Sequence, residues 1–391
     1  MKKTVYIVLL ITITQCINAQ FAAVLTRNGL ILLENDSVVL VPNENLRGTM
    51  QWQKSNNAII WSDANTNIHG DTLTFVPEVS ELFRLQIIEG TCLPIYSDII
   101  KIYSRYTTIP SYISDGISIA DLLTAGVSVS DMLSAGLSVT ELYEGGILVG
   151  TLEQSGADST DLANAGLIGT VTDYDGNMYK WVRIEDQVWM AENLKTSHYA
   201  DGSASPYVEG GVEWANLTYT DKAYCWYYDS IANKDIYGGL YPWAAAMNSA
   251  NSSDANPSGV QGVCPDEWHL PSDAEWKELE MFLGMSQSGA DDTNFRGTDE
   301  GGKLKETGTS HWCSPNKGAT NESGFTALAG GSMSSGGWWY QEHILSYFWV
   351  ATKYEYSVSS SWFRCQSCIE AGVFRGRSGG SNGHSVRCVK D

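Results

Sequence analysis

The chain has 391 residues, which is too long for one ordinary domain and suits two or three. Its 24 basic and 45 acidic side chains give a formal net charge of -21. This balance argues against a nucleic acid partner, because phosphate binding needs a stripe of basic side chains, and against adsorption to an anionic membrane surface.

Residues 1–19 have the features of a secretory signal peptide. A basic start, Met1-Lys-Lys3, precedes an apolar run over residues 5–13, and a small residue closes the segment. The apolar run is too short for a permanent membrane span. Cys16 raises the alternative of a lipid-modified cysteine, but the residues before it are not the small ones that such sites need. We therefore predict export to the periplasm, the medium or the cell surface.

Residues 20–103 are predicted to form an all-β domain. Segments rich in β-branched and aromatic residues alternate with Pro, Gly, Asn and Asp, which predicts short strands and turns. Such strands, with Trp52 in an early one, resemble the immunoglobulin-like modules of exported bacterial proteins, and this resemblance implies a β-sandwich with Trp52 in its core. The predicted strands cover residues 38–41, 50–53, 72–75, 83–88 and 99–102.

Residues 104–114 are polar, contain Pro110 and are predicted to be a linker. From residue 115 to residue 168, glycine recurs every ten residues, and a serine in the early units stands three residues before an acid. The serine can cap the first amides of a helix, the acid suits the positive helix end, and the glycine can end the helix. The capping pairs are Ser118 with Asp121, Ser128 with Asp131, and Ser138 with Glu141; the glycines are Gly116, Gly126, Gly136, Gly146, Gly156 and Gly166.

Each repeat unit is therefore predicted to be a helix of about two turns. Because helices this short do not persist alone, we expect them to stack through a shared apolar ridge. Thr151 replaces the acid in the fourth unit and Ser159 replaces an aliphatic residue in the fifth, as expected near the end of a repeat array. We interpret residues 115–168 as a spacer rather than a binding surface. The predicted ridge consists of Ile119, Leu122, Val129, Met132, Val139 and Leu142.

Residues 169–391 carry a series of short motifs. Together they resemble the Fibrobacter succinogenes major paralogous domain, a family related in pattern to the C-type lectin and formylglycine-generating-enzyme fold. This resemblance implies an α+β, C-type-lectin-like domain. The motifs are DYDGNMY (173–179), QVWMAENL (187–194), YGGLYPW (237–243), CPDEWHLPSDAEW (264–276), GKLKETG (302–308) and GHSVRCV (383–389).

Two local structures are predicted within this domain. Alternating residues on both sides of Asp175-Gly176 predict a hairpin, and calcium binding is the alternative because Asp173, Asp175 and Asn177 alternate. The spacing lacks the glycine and glutamate of a calcium loop, so we favour the turn. Ser272 and Glu275 form a capping box that predicts a helix ending near residue 283.

Cysteine usage fits an oxidising compartment. The C-terminal segment holds an even number of cysteines, which permits three disulfides but leaves their connectivity open. The resemblance implies one pair, Cys264 with Cys388, because lectin-like folds commonly tie their termini together. Cys92 remains outside this set and is expected to be a buried thiol. The disulfide candidates are Cys225, Cys264, Cys313, Cys365, Cys368 and Cys388.

Two chemical alternatives compete with a binding role. The enzyme relatives implied by the resemblance use a redox-active cysteine pair, for which Cys365 and Cys368 are the closest candidates here. These two cysteines, with His384 and Cys388, also have the spacing of a zinc site. Export favours oxidised sulfur over thiolate ligands, and no further motif supports catalysis. We therefore predict no enzyme activity, no cofactor and no metal ion.

A binding surface is the remaining interpretation. Trp338, Trp339 and Tyr340 follow paired glycines, and neighbours on an extended strand face opposite ways, so at least one tryptophan should reach the surface. The sugar-binding triplets of calcium-dependent lectins do not occur in the sequence. The competing interpretation is that these aromatic residues fill the core. We predict an exported, non-catalytic binding or adhesion protein whose partner is an extracellular glycan or protein.

Overall fold

The computed structural model describes residues 4–9, 37–42, 48–64, 68–69, 72–104 and 106–391. Over these residues the chain is rich in β-strands and divides into two units, Met1–Gly146 and Ile147–Asp391. None of the helices in these ranges is long and apolar enough to cross a membrane. Apart from the strand Thr4–Leu9, the predicted signal peptide lies outside the described residues.

The first unit begins with β-strands, and each segment predicted as a strand contains one. The strands are β1 (Thr4–Leu9), β2 (Ser37–Pro42), β3 (Thr49–Ser55), β4 (Ser62–Asp63), β5 (Ile68–His69), β6 (Thr72–Phe75), β7 (Glu81–Ile88), β8 (Ile95–Tyr96) and β9 (Ile100–Ile102). They form two sheets, β1-β2-β6-β5 and β4-β3-β7-β8, and β9 also pairs with β7.

The core of these sheets includes Trp52, as predicted. Trp52 is 2% exposed and belongs to one apolar cluster with Leu40, Leu73 and Leu85. On β7, buried residues alternate with half-buried ones, as expected for a strand with one face on a core. Cys92, in contrast, is exposed, so the expectation of a buried thiol is wrong. It lies in the turn after β7, beyond the reach of this core.

Short helices complete the first unit: α1 (Ile109–Ser114), α2 (Ile119–Thr124), α3 (Val129–Ser134) and α4 (Val139–Glu144). The linker prediction for residues 104–114 is wrong, because α1 lies inside that range. Pro110 stands in the first turn of α1, where its missing N–H costs no helical hydrogen bond. Tyr112 is buried at the position that Leu122 occupies in α2. The helical repeat therefore begins one unit earlier than predicted.

The predicted capping boxes are present in α2, α3 and α4. In α3, Asp131 N donates to Ser128 Oγ at 3.1 Å, and Ser128 N donates back to the Asp131 carboxylate at 3.3 Å. The glycines that end the units have positive φ, for example 95° at Gly126. The predicted ridge residues of α2 to α4 are all buried.

The end of α4 lies close to the start of α2. A Cβ atom at Gly145 would lie 2.2 Å from Ile119 Cδ1, so a side chain at residue 145 would displace that of Ile119. The stacking of the short helices thus involves contacts between units that are not adjacent in sequence.

The second unit combines helices and strands. Its helices are α5 (Val149–Gln154), α6 (Ser159–Asn164), α7 (Gly211–Trp214), α8 (Ile231–Tyr237), α9 (Trp243–Ala246), α10 (Asp273–Phe282), α11 (Gln287–Asp291) and α12 (Glu300–Leu304). Its strands are β10 (Ile168–Thr172), β11 (Met178–Ile184), β12 (Gln187–Met190), β13 (Cys225–Trp226), β14 (Gly239–Leu240), β15 (Trp268–His269), β16 (Asn294–Arg296), β17 (Ser332–Met333), β18 (Trp339–Tyr340), β19 (Leu345–Lys353), β20 (Ser360–Ser367), β21 (Val373–Gly379) and β22 (Val389–Lys390).

Two larger sheets organise this unit, with the orders β10-β11-β12-β22-β15 and β16-β21-β20-β19. β10 and β11 form the predicted hairpin around Gly176, whose φ is 79°. The C-terminal strand β22 lies between β12 and β15, so the end of the chain completes a sheet that starts at residue 168. Cys388, just before β22, forms the disulfide with Cys264 that the resemblance implies.

The boundary between the units falls within the predicted spacer. α5 belongs to the second unit, where Thr151 N donates to Glu322 O at 3.2 Å and Gln154 Nε2 donates to Thr320 O at 2.8 Å. α5 also lacks a side-chain cap, since Leu148 stands where the earlier units have serine. In this helix, hydrogen bonds to the loop around residue 322 replace the side-chain cap.

α10 is the helix predicted from its capping box, and both hydrogen bonds of that box are present. It is joined to the β16-β21-β20-β19 sheet by a buried ionic network. Asp273 and Glu280, two turns apart on α10, both bond the guanidinium of Arg364 on β20, at 2.7 and 2.8 Å. Arg375 on β21 bonds Asp273 at 2.7 Å, and Arg296 on β16 bonds Glu280.

The register of the sheet explains why this network is needed. Arg364 and Arg375 are direct cross-strand partners, and two like charges in that position repel each other. The Asp273 carboxylate bridges them and removes the repulsion. Burial raises the pKa of Asp273, but the two guanidinium groups outweigh it and hold that pKa well below its usual range.

Candidate functional site

The residues that the sequence singles out for binding lie on one hairpin. β17 and β18 form this hairpin, and a 2.9 Å hydrogen bond from Ser334 N to Trp338 O closes its turn. Trp338 is 76% exposed and Tyr340 is 51% exposed, whereas Trp339 is half-buried. One of the two tryptophans therefore reaches the surface, as alternation along a strand requires. We refer to Trp338 and Tyr340 as the aromatic surface.

Trp339 belongs to the opposite side of the hairpin. Its ring lies 5.2 Å from the ring of Tyr227 and 5.8 Å from that of Tyr228, and it packs against the apolar cluster that contains Leu240 and Met333. Packing of this kind anchors the hairpin to the domain. Trp339 is thus a structural anchor, and it does not share the aromatic surface with its two neighbours.

Backbone contacts hold the hairpin on both sides. Gly383 N donates to Met333 O at 2.7 Å, and Met333 N donates to Gly383 O at 3.0 Å. On the other side, a Cβ atom at Gly337 would lie 1.8 Å from Gly211 O, so the turn rests directly on the start of α7. Val212, the next residue of α7, is 77% exposed beside this contact. The aromatic surface therefore stands on a fixed backbone and has an apolar neighbour.

The cysteines that the structure describes form two disulfides, and these separate the residues of both chemical alternatives. Cys264 pairs with Cys388, and Cys313 pairs with Cys368. Cys225 and Cys365 are buried thiols, so the three disulfides that the even count permits do not all form. The redox pair considered from the sequence is absent, because Cys368 is bonded to Cys313 and not to Cys365.

The zinc pattern does not come together either. Two of its sulfur atoms, those of Cys368 and Cys388, lie in disulfides, and burial raises the pKa of the Cys365 thiol. His384 is buried, and its burial lowers its pKa to about 3; its ring lies 4.3 Å from that of Trp349. Within the described part of the chain, no group of three or more His, Cys, Asp or Glu side chains could hold a metal ion.

The acids of the first motif act as turn residues. The Asp173 carboxylate accepts hydrogen bonds from Asn177 N at 2.9 Å and from Tyr179 Oη at 2.6 Å. The Asp175 carboxylate bonds Ser197 and His198 instead. The two carboxylates are therefore engaged with different donors and do not converge on one point, which agrees with the turn interpretation over the calcium loop.

Charged residues of two other motifs are buried and donate hydrogen bonds within the protein. Lys305 Nζ donates to the backbone oxygens of Lys317 and Ser367 at 2.8 Å and of Glu370 at 3.0 Å, and burial lowers its pKa to about 8. Arg387 donates to Asn193 Oδ1 at 2.7 Å and to backbone oxygens of three residues. Buried cations of this kind hold loops together, so these motifs encode structure rather than chemistry.

The structure contains a cavity that the sequence did not reveal. Its volume is about 660 Å³, and residues of β10, β11, α5, α6, α8 and several loops line it. Trp181 and Ile168 are among its apolar residues, while Lys180, Glu192 and Arg387 are among its charged ones. We refer to it as the Trp181 cavity. Several of the motifs contribute residues to it, for example Glu192 and Arg387, but none marks it alone, because its walls come from segments more than 200 residues apart in the sequence.

The family profile of the Fibrobacter succinogenes major domain matches residues 182–390, which is more than half of the chain. The matched range includes the aromatic surface, both disulfides and the ionic network. Residues 153–181, which supply part of the wall of the Trp181 cavity, precede it. Neither the curated proteins nor the solved structures contain a match to this chain.

Proposed function

Since the chain belongs to the Fibrobacter succinogenes major domain family, we propose that it is an exported, non-catalytic binding or adhesion protein. In this proposal the family domain has a C-type-lectin-like fold, the β domain before it is immunoglobulin-like, and the helical repeat is a spacer. Disulfides persist in oxidising compartments, so the two cystines of the family domain support export.

The observation that carries this proposal is the exposure of Trp338, at 76%, on a hairpin whose backbone is fixed on both sides. Exposed apolar residues that lie together are typical of a contact surface, and Trp338 and Tyr340 have the exposed Val212 near them. Trp338 and Tyr340 can stack on pyranose rings, and the exposed Ser335 beside them offers a hydrogen bond. We favour an extracellular glycan as the ligand, with a protein as the alternative.

The non-catalytic part of the proposal is supported by the sulfur chemistry. An oxidoreductase that used Cys365 and Cys368 would need a reactive thiolate and a partner sulfur. The Cys365 thiol is buried, which raises its pKa, and the sulfur of Cys368 is bonded to Cys313. Peptide mapping by mass spectrometry checks this arrangement: a Cys313–Cys368 peptide is expected, and a Cys365–Cys368 disulfide would instead favour the oxidoreductase.

A glycan array with the full exported chain tests the binding proposal. We expect Trp338→Ala and Tyr340→Ala to weaken binding to the best glycan, because truncating a central aromatic anchor costs about 2 kcal/mol or more. Tyr356→Ala is the matched control, since Tyr356 is also exposed in the same unit but lies in the turn between β19 and β20. A pull-down assay with the same variants tests whether the ligand is a protein. Equal binding by all three variants would exclude the aromatic surface.

A further inference from the structure

The size of the Trp181 cavity fits a small organic ligand. Its volume of about 660 Å³ lies inside the range of roughly 300–1,000 Å³ that is usual for ligand pockets. The whole cavity lies within the second unit, so its walls belong to one compact body. β10 and β11 form one wall, with Ile168 paired to Val182 and Thr170 paired to Lys180.

The walls of the cavity are held in place by their own hydrogen bonds. Glu192 Oε2 accepts the backbone N–H of Lys180 at 2.6 Å. Asn193 Nδ2 donates to Tyr237 O at 2.8 Å, and Asn193 Oδ1 accepts from Arg387 Nε at 2.7 Å. These bonds join β11, the segment after β12, the end of α8 and the loop before β22. A site with walls fixed in this way loses little conformational entropy when a ligand binds.

Two pairs of polar side chains line the cavity. Lys195 Nζ lies 3.3 Å from Asp235 Oδ1, and His311 Nδ1 lies 2.9 Å from Glu306 Oε2. The direct bond between Lys195 and Asp235 engages both charges within the protein, and the His311 ring engages the Glu306 carboxylate.

Arg387 is also engaged within the protein. Its Nε donates to Asn193 Oδ1 at 2.7 Å, and its other nitrogens donate to backbone oxygens of three residues. Desolvation raises the pKa of the Glu153 carboxyl, and the charge of Lys180 opposes that effect. An anionic ligand would therefore have to compete with existing contacts of Lys195 and Arg387.

These observations select the class of ligand. Phosphates, nucleotides and sugar acids need uncompensated cations, and a lipid chain would bury the charged side chains of the walls against hydrocarbon. A neutral sugar needs donors and acceptors for its hydroxyl groups and an apolar surface for its C–H faces. The cavity offers both, because hydroxyl groups of Ser159 and Thr170 and several carboxylates line it together with Trp181, Ile168 and Leu328.

We propose that the Trp181 cavity binds a neutral pyranose sugar of one or two rings, at a site separate from the aromatic surface. Part of its specificity comes from α5 and α6, which precede the range matched by the family profile. The cavity binds its sugar independently of the aromatic surface, so a substitution that abolishes binding at one site leaves binding at the other site unchanged.

A blocking substitution in α6 tests this site. Ala163 is exposed and lines the cavity, and Tyr143 occupies the corresponding position of α4, so a tyrosine is compatible with this kind of helix. Ala163→Tyr fills part of the cavity. Leu123→Tyr places the same side chain at the corresponding position of α2, outside the cavity, and is the matched control.

The probes are methyl glycosides of glucose, galactose, mannose, xylose and N-acetylglucosamine, with cellobiose and xylobiose as two-ring sugars and glucuronate and glucosamine as charged ones. Binding to the full chain is measured by saturation-transfer NMR and calorimetry. We expect at least one neutral sugar to bind, a loss of affinity of about tenfold or more in Ala163→Tyr, and wild-type affinity in Leu123→Tyr and Trp338→Ala.

Three results would overturn the proposal: no neutral probe binds, a charged sugar binds more tightly than its neutral counterpart, or Ala163→Tyr keeps the wild-type affinity. Loss of binding in Trp338→Ala but not in Ala163→Tyr would assign the sugar to the aromatic surface instead. Circular dichroism of each variant confirms that the helices remain folded, and binding of array glycans by Ala163→Tyr provides a second check that the domain is intact.

Discussion

The helical repeat of the first unit and the family domain of the second are stabilised in different ways. Each of α2, α3 and α4 begins and ends with contacts inside its own ten-residue unit: a serine cap, an acid three positions later and a glycine at the end. The family domain is joined by contacts across the sequence, such as Arg364 with Asp273 and Cys264 with Cys388. Local contacts make the repeat easy to extend, whereas distant contacts fix the loops of the domain in one arrangement.

The largest effect in this comparison is expected from the ionic network. Arg364→Met should destabilise the second unit by about 3–5 kcal/mol, because it leaves Asp273 and Glu280 buried with less cationic compensation. Arg377→Met is the control, since Arg377 lies on β21 but is exposed. Urea unfolding followed by tryptophan fluorescence measures both. Equal stability of the two variants would show that the network contributes little to the domain.

A smaller effect is expected in the repeat. Ser128→Ala removes the cap of α3 and should cost about 1 kcal/mol. Ser130→Ala changes the same residue type inside α3, where Ser130 is exposed and caps nothing, and should leave stability within about 0.5 kcal/mol. Thermal unfolding by circular dichroism compares them. If Ser130→Ala were the more damaging change, local capping would not be what stabilises these helices.

The smallest effect on stability is expected from the ion pairs of His269 with Glu275 and Asp391. His269 Nε2 lies 2.6 Å from Glu275 and Nδ1 lies 2.7 Å from Asp391. Burial lowers the pKa of His269, but the two carboxylates outweigh it and raise that pKa. The protonated imidazole therefore stabilises the fold fully below its unfolded pKa of about 6.5, and this contribution disappears as the pH rises through the folded pKa.

Unfolding free energies of wild type and His269→Gln across this pH range measure that contribution. The difference between the two proteins should shrink as the pH rises. A difference that grows with pH would mean that the neutral imidazole is the stabilising form and would contradict the ion pairs with Glu275 and Asp391.

The contrast between local contacts and contacts across the sequence explains which features the sequence predicts. The capping boxes at Ser128 and Ser272 and the hairpin at Gly176 depend on residue spacing within a short segment, and all are present. The core position of Trp52 was implied by the resemblance to immunoglobulin-like modules, and Trp52 is buried. α1 was missed because Pro110 and polar neighbours suggested a linker, although Tyr112 lies ten residues before Leu122 and continues the repeat.

Features that join distant segments could not be read in this way. The pairing of Cys313 with Cys368 and the network around Arg364 depend on tertiary structure, although the spacing of Asp273 and Glu280 on one helix face was a usable signal. The Trp181 cavity combines Ala163, Trp181 and Arg387, which no sequence pattern places together. For the aromatic surface, alternation predicted that one tryptophan is exposed but did not identify Trp338 as that residue.

We propose that the family domain is a rigid binding module whose ligand contacts Trp338. Calorimetry with the glycan that binds best on the array measures this directly. We predict that the dissociation constant of Trp338→Ala rises by about 30-fold over wild type, as expected for a loss of about 2 kcal/mol, while that of Tyr356→Ala stays unchanged. Equal dissociation constants for wild type and both variants would contradict the claim.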